Sequence, residues 1–401
     1  MNLKSGYPFW LIQSGLPCDY PRLTTSVSTD VVILGGGISG ALAAYYLITN
    51  GIGCIVIDGR TIGLGSTSAS TSLLQYEIDT PLSKLIELSG YHNAVTAYQL
   101  CRDAIYKLED IADKIGFNDF QRKKSLYYAA RKKDTPSLKE EFLTRKKNGF
   151  AVQWLAPDQL ADQYNIKAPG AILSRDGAQT NAYLFTHALL QYGIKKGIRV
   201  FDRSPVSSIQ NHKRGVSLTT QTGNVIKARS MIYANGYEVV DYIDKNIVKL
   251  KSTYATISQH MEESVPFWKN EVMIWNTADP YLYIRSTKDH RIIVGGRDED
   301  YFNPRKRDQL LPKKTRQLVK DFKEVFPKLP FEPEFSWTGT FGSTKDGLPF
   351  IGKYSRLPHA YFSLGFGGNG ITFSQIGAEI ITGLILKNKN PYAEIFAFNR
   401  T

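Results

Sequence analysis

Apolar positions along this chain come in short runs broken by glycine, and the first long run poses a choice. Residues 30 to 48, DVVILGGGISGALAAYYLI, are almost wholly apolar and long enough to suggest a membrane span. Their internal order points elsewhere. Asp30 to Leu34 is a β-type run, glycines follow at 35, 37 and 40, and ALAAYYLITN then favours helix until Gly51. A second apolar run, GCIVID, ends in Asp58. The pattern predicts strand, glycine turn, helix and strand, and glycines so clustered serve a turn better than a lipid-facing helix. Further on, a helix is predicted over 182–196, then a strand whose end carries Val206, then a strand in ARSMIYANGY that stops at Ala234, Asn235 and Gly236. Near the end, AYFSL reads as a strand leading into GFGGNGITFSQIGAEIITGLIL. Between these lie helices such as AVTAYQLCRDAIYKLEDIADKI and strands such as SLYYAA, YLYIRS and RIIVGG.

At 401 residues, 42% hydrophobic and 22% charged, the chain has room for two or three domain-sized cores and is unlike a disordered one. A net charge of +13 raises the question of a polyanionic partner. The densest basic run, RKRDQLLPKKTRQLVKDFK, places Leu311, Leu318 and Phe322 at helical spacing among the charges, so it reads as a surface helix with one buried stripe and not as a nucleic-acid face. The opening residues lack the basic head, apolar stretch and small-residue cleavage site of a secretory leader, which gives cytoplasmic localisation as the expectation. Cys18, Cys54 and Cys101 share no spacing with each other or with histidine, so packing is expected of them, with no disulfide framework and no metal site.

The glycine turn carries the chemistry. Gly35-x-Gly37-x-x-Gly40 follows a strand and opens a helix, and Asp58 closes the next strand. A dinucleotide site needs the first glycine for a tight turn, the second for backbone approach to a pyrophosphate and the third for close helix packing. The N–H groups at the helix start attract phosphate, and Asp58 can accept hydrogen bonds from ribose hydroxyls. These residues leave open which dinucleotide is bound. The segment after Asp58, GRTIGLGSTSASTSLLQYEID, is small and hydroxyl-rich and reads either as a polar loop or as a cover for a second phosphate or a flavin edge.

Taken together, the N-terminal GxGxxG with Asp58, GLGSTSAST, DGAQTNAY, YANG, TKDGLPFIG and the glycine-rich entry to the last helix resemble the FAD-dependent amine and amino-acid oxidases, the family of D-amino-acid, glycine and sarcosine oxidases, closest in style to its γ-glutamylputrescine oxidoreductase-like members. The resemblance runs over about residues 28 to 400. It implies an α/β fold: a Rossmann-type FAD-binding domain from segments 28–80, 160–245 and 335–401, and an inserted α+β substrate domain, antiparallel sheet plus helices, from 81–159 and 246–334. It implies FAD held by Gly35, Gly37, Ile38, Ser39, Gly40, Asp58, Gly59 and Arg60, by Ser66, Thr67 and Ser70 on the flavin side, and by Val206, Ala234, Asn235, Gly236 and Gly342. Gly368 would also bind the cofactor, and Asn369, Gly370, Ile371 and Thr372 would face the flavin pyrimidine from a helix start, which suits the charge of the reduced ring. A second GxGxxG within GFGGNG is not followed by a strand with an acid, so no nicotinamide site is expected and electrons leave to oxygen, a quinone or a protein carrier.

The substrate expectation rests on what is missing. Where glycine oxidase sets an arginine for the substrate carboxylate this chain has Phe341, and where sarcosine oxidase sets two arginines and a lysine it has Ser72, Gln75 and Thr372. The flavin-tethering cysteine of sarcosine oxidase corresponds to Gly339, so FAD is expected to be non-covalent. A buried carboxylate without a cationic partner is costly, which points to an amine lacking an α-carboxylate. Tyr76, Glu77 and Asp79, with Tyr281, Tyr283 and Arg285, are the candidate substrate contacts, aromatics and carboxylates suiting a cation. Lys345 is a candidate for activating oxygen. The reaction expected is hydride transfer from the carbon beside a neutral amine nitrogen to the flavin N5 atom, with the imine then hydrolysed. Two rival readings stay open: a flavin dehydrogenase of a hydroxyl substrate, since GSTSASTSLL also resembles glycerol-3-phosphate dehydrogenases, and a flavin-bearing electron-carrier or binding protein.

Overall fold

The predicted βαβ unit forms with small shifts at its ends: strand Val27–Leu34, helix Ile38–Thr49 and strand Cys54–Ile57. These observations come from a computed structural model, which describes residues 1–400. The two strands pair in parallel, Val31 opposite Cys54 and Leu34 opposite Ile57, and both are buried at these positions, as parallel strands covered on two faces must be. Around them grows an eight-stranded sheet. Ala360–Leu364, Val225–Tyr233, Val27–Leu34, Cys54–Ile57 and Arg199–Phe201 run parallel in that order, Phe350–Lys353 adds an antiparallel edge, and the hairpin Val206–His212 with Gly215–Thr220 extends from Val225–Tyr233. Val206 therefore opens a separate strand instead of ending the one predicted before it.

A second sheet of ten strands is antiparallel except where Met273–Asn276 runs parallel to Phe120–Tyr128. Three of its strands, Leu73–Gln75, Ala171–Thr180 and nearly all of Pro333–Ser343, lie in segments expected to belong wholly with the cofactor. The N-terminal strand Lys4–Gly6, to which the sequence reading gave no role, pairs with Pro333–Ser343.

The helices cover these sheets for readable reasons. Ala182–Lys195 starts at Asn181, whose side chain accepts from the Leu184 N–H, a cap that satisfies one orphan donor. The basic helix Pro304–Val325 starts the same way at Asn303, with proline in its first turn. Its Leu318 and Phe322 are buried and Leu311 is half-buried, so the expected stripe is present. Arg307 and Lys314, read as part of its charged face, are buried as well: Arg307 donates to Thr340 Oγ1 at 2.8 Å and Lys314 to the Arg297 carbonyl at 2.8 Å. The last helix, Gly370–Ile385, packs against Ile38–Thr49 in the largest apolar cluster. Among the described residues no helix is long and apolar enough to cross a membrane, and no group of His, Cys, Asp and Glu is placed to hold a metal ion.

Candidate active site

Between the sheets lies a cavity of ≈ 500 Å³, a volume that suits a small-molecule site. Part of its wall comes from the C-terminal ends of the parallel strands, where open α/β sheets bind ligands: Gly35 follows Val27–Leu34, Asp58 follows Cys54–Ile57, Ala234 to Gly236 follow Val225–Tyr233, and Phe366 to Gly368 follow Ala360–Leu364. The larger sheet and the loop before its strand Tyr283–Ser286 add Thr253, Tyr281, Tyr283, Asp298 and Gly339 to Phe341.

At the parallel-sheet end, backbone proximity fixes the glycines. Gly35 has φ +114, and a Cβ there would fall 2.4 Å from the Ala234 carbonyl oxygen. A Cβ on Gly40 would fall 1.9 Å from the Gly35 oxygen, so the third glycine lets the helix close on the turn. At Gly37 the group in the way is Thr67 Oγ1, 2.8 Å from a built Cβ; that hydroxyl also accepts from the Ile38 N–H at 3.0 Å. The hydroxyl-rich segment thus folds directly over the helix start, forming the short helix Ser66–Ala69, and it is pinned from behind: Trp10 Nε1 donates to the Ser70 carbonyl at 2.6 Å and Trp337 Nε1 to that of Ala69 at 2.9 Å. Asp58 accepts from the Gly36 N–H at 2.7 Å and the Arg60 N–H at 2.8 Å, holding the turn while lining the cavity. Burial pushes its pKa up against those hydrogen bonds. The Arg60 guanidinium is paired with Glu238.

Two buried polar atoms on this wall, Ser66 Oγ and Asn235 Oδ1, have no hydrogen-bond partner in the protein. Such orphans are expensive unless a ligand completes them. Together with a helix start at Gly37 and an acid at the next strand end, they fit an FAD dinucleotide.

Of the sequence-derived cofactor residues, Gly35, Gly37, Ile38, Ser39, Asp58, Gly59 and Arg60 line the cavity, as do Ser66, Thr67 and Ser70, Val206 with Ala234 to Gly236, and Gly368, Gly370 and Ile371. Four stand behind the wall. Gly40 packs the turn. Gly342 makes room for Val248, whose Cγ1 would lie 2.5 Å from an added Cβ, and accepts from the Gly367 N–H. Asn369 is buried with its side-chain amide donating to the Gln75 and Glu77 carbonyls at 3.0 and 2.9 Å, so it ties the last helix to the strand Leu73–Gln75. The Thr372 hydroxyl donates to the Asn369 carbonyl within the helix.

The substrate candidates need more correction. Tyr283 lines the cavity. Tyr76 and Glu77 face away from it, into the protein: Tyr76 stacks on Phe150 with ring centroids 5.1 Å apart and hydrogen-bonds Ser174, and Glu77 pairs with Arg145 at 3.4 Å, all fully buried. Arg145 is also bound by Glu141 at 2.6 Å, which holds the Glu141 carboxyl below its usual range, while burial raises that of Glu77. Arg285 spends its guanidinium on the Thr71, Ser72 and Thr180 carbonyls at 3.0 to 3.1 Å, and desolvation lowers its pKa to about 10. It fastens the wall without reaching the cavity. Lys345 sits exposed on a turn.

One residue that the sequence reading passed over stands in the place expected of Glu77. Asp298 lines the cavity with Thr253, Tyr281 and Tyr283, and its Oδ1 is buried without a partner. A bulge puts it there. Between Ser252 opposite Glu299 and Tyr254 opposite Gly296, the strand Ile292–Glu299 carries one residue more than its neighbour, with Gly296 at φ +134 and Arg297 at φ +58. Plain alternation from Gly295, which faces Tyr283, would give that face to Arg297; the extra residue gives it to Asp298. Gly295 itself clears the site, since a Cβ there would fall 2.3 Å from the Tyr283 hydroxyl. Asp79 stands at the mouth, exposed, accepting from the Gly368 N–H at 2.8 Å and from the Tyr281 hydroxyl at 3.3 Å. Burial raises the Asp298 pKa to about 7, helped by Asp79 and opposed by Thr253, Lys251 and Lys314. Among the described residues lining the cavity, Arg60 is the one cation, and it is already paired.

Comparison with known proteins agrees with this geometry. The DAO family of FAD-dependent oxidoreductases matches residues 30–384. A putative Rieske 2Fe-2S iron-sulfur protein of Bacillus subtilis is 23% identical over 98% of this chain and 75% of its own length. The γ-glutamylputrescine oxidoreductase of Escherichia coli is 21% identical over 91% of this chain and 85% of its own. The crystal structure of glycine oxidase from Geobacillus kaustophilus superposes with a TM-score of 0.81 at 18% identity, covering 93% of this chain and 99% of that one, which establishes a shared fold.

Proposed function

The chain belongs to the DAO family of FAD-dependent oxidoreductases, and from that premise we propose that it oxidises a C–N bond of an amine whose reacting end carries no α-carboxylate. The observation that carries this reading is the charge of the cavity wall beside Tyr281 and Tyr283: an acid, Asp298, and no free cation among the described lining residues. Ser72, Gln75 and Phe341, three of the positions where the resemblance sets carboxylate-binding arginines, do line the cavity, and none can pair with an anion. The phosphate of a glycerol-phosphate substrate finds no partner there either.

FAD, when bound, supplies the electron sink for a hydride leaving the carbon beside the amine nitrogen. The protein's part is to bind, orient and keep dry. The glycine turn and the start of Ile38–Thr49 would hold the pyrophosphate, Asp58 would take the ribose hydroxyls, and Ser66 and Asn235 would complete their own hydrogen bonds on the cofactor. Tyr281 and Tyr283, 5.9 Å apart at their ring centroids, form an aromatic wall that orients the amine and excludes water. None of the three cysteines lines the cavity, which supports non-covalent FAD, and all three are free thiols, which suits the cytoplasm. The division into a cofactor domain and a substrate domain is part of the same proposal, with the ten-stranded sheet as the substrate side.

Anaerobic mixing of the purified holoprotein with a panel of amines tests the reading. A polyamine or an acylated diamine should bleach the flavin, while glycine, sarcosine and D-alanine should leave it oxidised. Rapid bleaching by sarcosine or D-alanine would reverse the substrate assignment and leave only the flavin chemistry.

A further inference from the structure

We propose that Asp298 is the anionic subsite of this cavity and that, with the Tyr281 and Tyr283 rings, it captures an ammonium group of the substrate. The inference rests on the amine-oxidation reading and makes it specific. Three independent features converge. Asp298 lines the cavity with its Oδ1 buried and unpartnered, the Thr253 hydroxyl being the one neutral side chain that favours its charged form, and a carboxylate so placed in a roomy site marks a missing cationic partner. The aromatic faces beside it favour a cation over a neutral group. The backbone is bent to put it there: Arg297 at φ +58 is a left-handed residue that is not glycine, and such strain persists where it aims a functional side chain.

The charged and titratable groups facing Asp298 come from four directions, and the cations are engaged elsewhere. Lys251 bonds Asp300 at 2.8 Å, and Lys314 bonds the Arg297 carbonyl at 2.8 Å and Glu299 at 2.5 Å. Asp79 adds negative charge from the mouth, and Tyr281 and Tyr283 are neutral rings whose ionisation burial opposes. The site is therefore one acid short of a partner. With its pKa raised to about 7, Asp298 gains its charge as pH rises through neutrality and loses it as pH falls, so cation capture should strengthen on the alkaline side.

Choline is a suitable probe because its ammonium is permanently charged and cannot itself titrate. Its uncharged carbon isostere, 3,3-dimethylbutan-1-ol, controls for shape. Calorimetric titration of the holoprotein should show choline binding about 10-fold tighter at about pH 8.5 than at about pH 5.5, and the isostere binding alike at both. Asp298→Asn should lose that dependence and bind choline about 10-fold more weakly at the higher pH, and Asp298→Glu should recover part of it. Choline affinity that is flat with pH in the parent protein overturns the proposal even if the asparagine variant fails to fold; so does an unchanged affinity in a folded Asp298→Asn. The two readings fail separately. Amines that still bleach the flavin in a protein whose choline binding ignores Asp298 would remove the subsite and keep the oxidation. Asp298-dependent choline binding in a protein whose flavin no amine reduces would do the reverse.

Discussion

The two ends of the cavity are built by different means. At the parallel-sheet end the wall is made by neighbours in sequence, with Gly35, Gly37 and Gly40 in one turn, Asp58 one strand later and Ser66 to Ser70 just beyond. Each glycine there is required by a backbone atom or hydroxyl less than 3 Å from where its Cβ would be. At the other end, Thr253, Tyr281, Asp298 and Phe341 come from four segments joined by antiparallel pairing, and one bulge decides which of their neighbours look inward. The first end leaves no room for a Cβ at its three glycines, because backbone at Gly35 and Gly40 and the Thr67 hydroxyl at Gly37 already fill the space. The second can change its chemistry residue by residue on a fixed sheet, which is how one fold carries different substrates.

The sharpest way to break this contrast is at Gly37. A branched side chain there would clash with Thr67 Oγ1 and fill the cavity at the helix start. Gly37→Val protein is expected to purify without flavin. Full flavin content, read by absorbance after denaturation, would mean that the cofactor lies elsewhere.

Next in size is Arg145→Met, which tests whether Glu77 belongs to the substrate end. Removing the guanidinium strands Glu77 and Glu141 in a fully buried site, where breaking an ion pair costs about 3–5 kcal/mol. The expected outcome is a large fall in thermal stability, with KM for the reactive amine unchanged in whatever protein remains folded. A raised KM at intact stability would return Glu77 to the cavity.

The same contrast governs how much was legible in the sequence. Local motifs announced the parallel sheet, its glycine turn and most of the residues that line the cavity at that end, since GxGxxG and a spaced acid report nearby backbone geometry. Glu77 was misread because LLQYEID looks like a polar segment beside a phosphate loop, and nothing within it reveals that Arg145, 68 positions away, closes over the carboxylate. Arg285 was misread for a similar reason: its partners are backbone carbonyls, which carry no sequence signature. Asp298 was passed over because RDED reads as a solvated strand end, and only the bulge opposite Thr253 turns its second residue inward. One signal was available, the pair Gly295-Gly296 just before it, since glycines inside a strand often mark a bulge or a close approach.

The smallest expected effect is Asp58→Ala, and it asks whether the parallel-sheet end is as intolerant at its acid as at its glycines. Asp58 has two duties. Its carboxylate accepts from the Gly36 and Arg60 N–H groups, which shapes the turn, and it lines the cavity where the ribose hydroxyls are placed by the proposal. Water can replace part of the second duty because the site opens toward solvent beside the exposed Gly59. Loss of one or two charge-assisted hydrogen bonds is worth about 1.5–3 kcal/mol, or roughly 10- to 150-fold in FAD affinity, against outright loss at Gly37. Reconstitution of apoprotein with FAD, followed by flavin fluorescence, measures the difference. An affinity unchanged within twofold would show that Asp58 serves the turn alone. A variant as empty as Gly37→Val would show that the turn cannot hold its shape without the acid, and that side-chain hydrogen bonds, as much as close backbone contact, fix this end of the cavity.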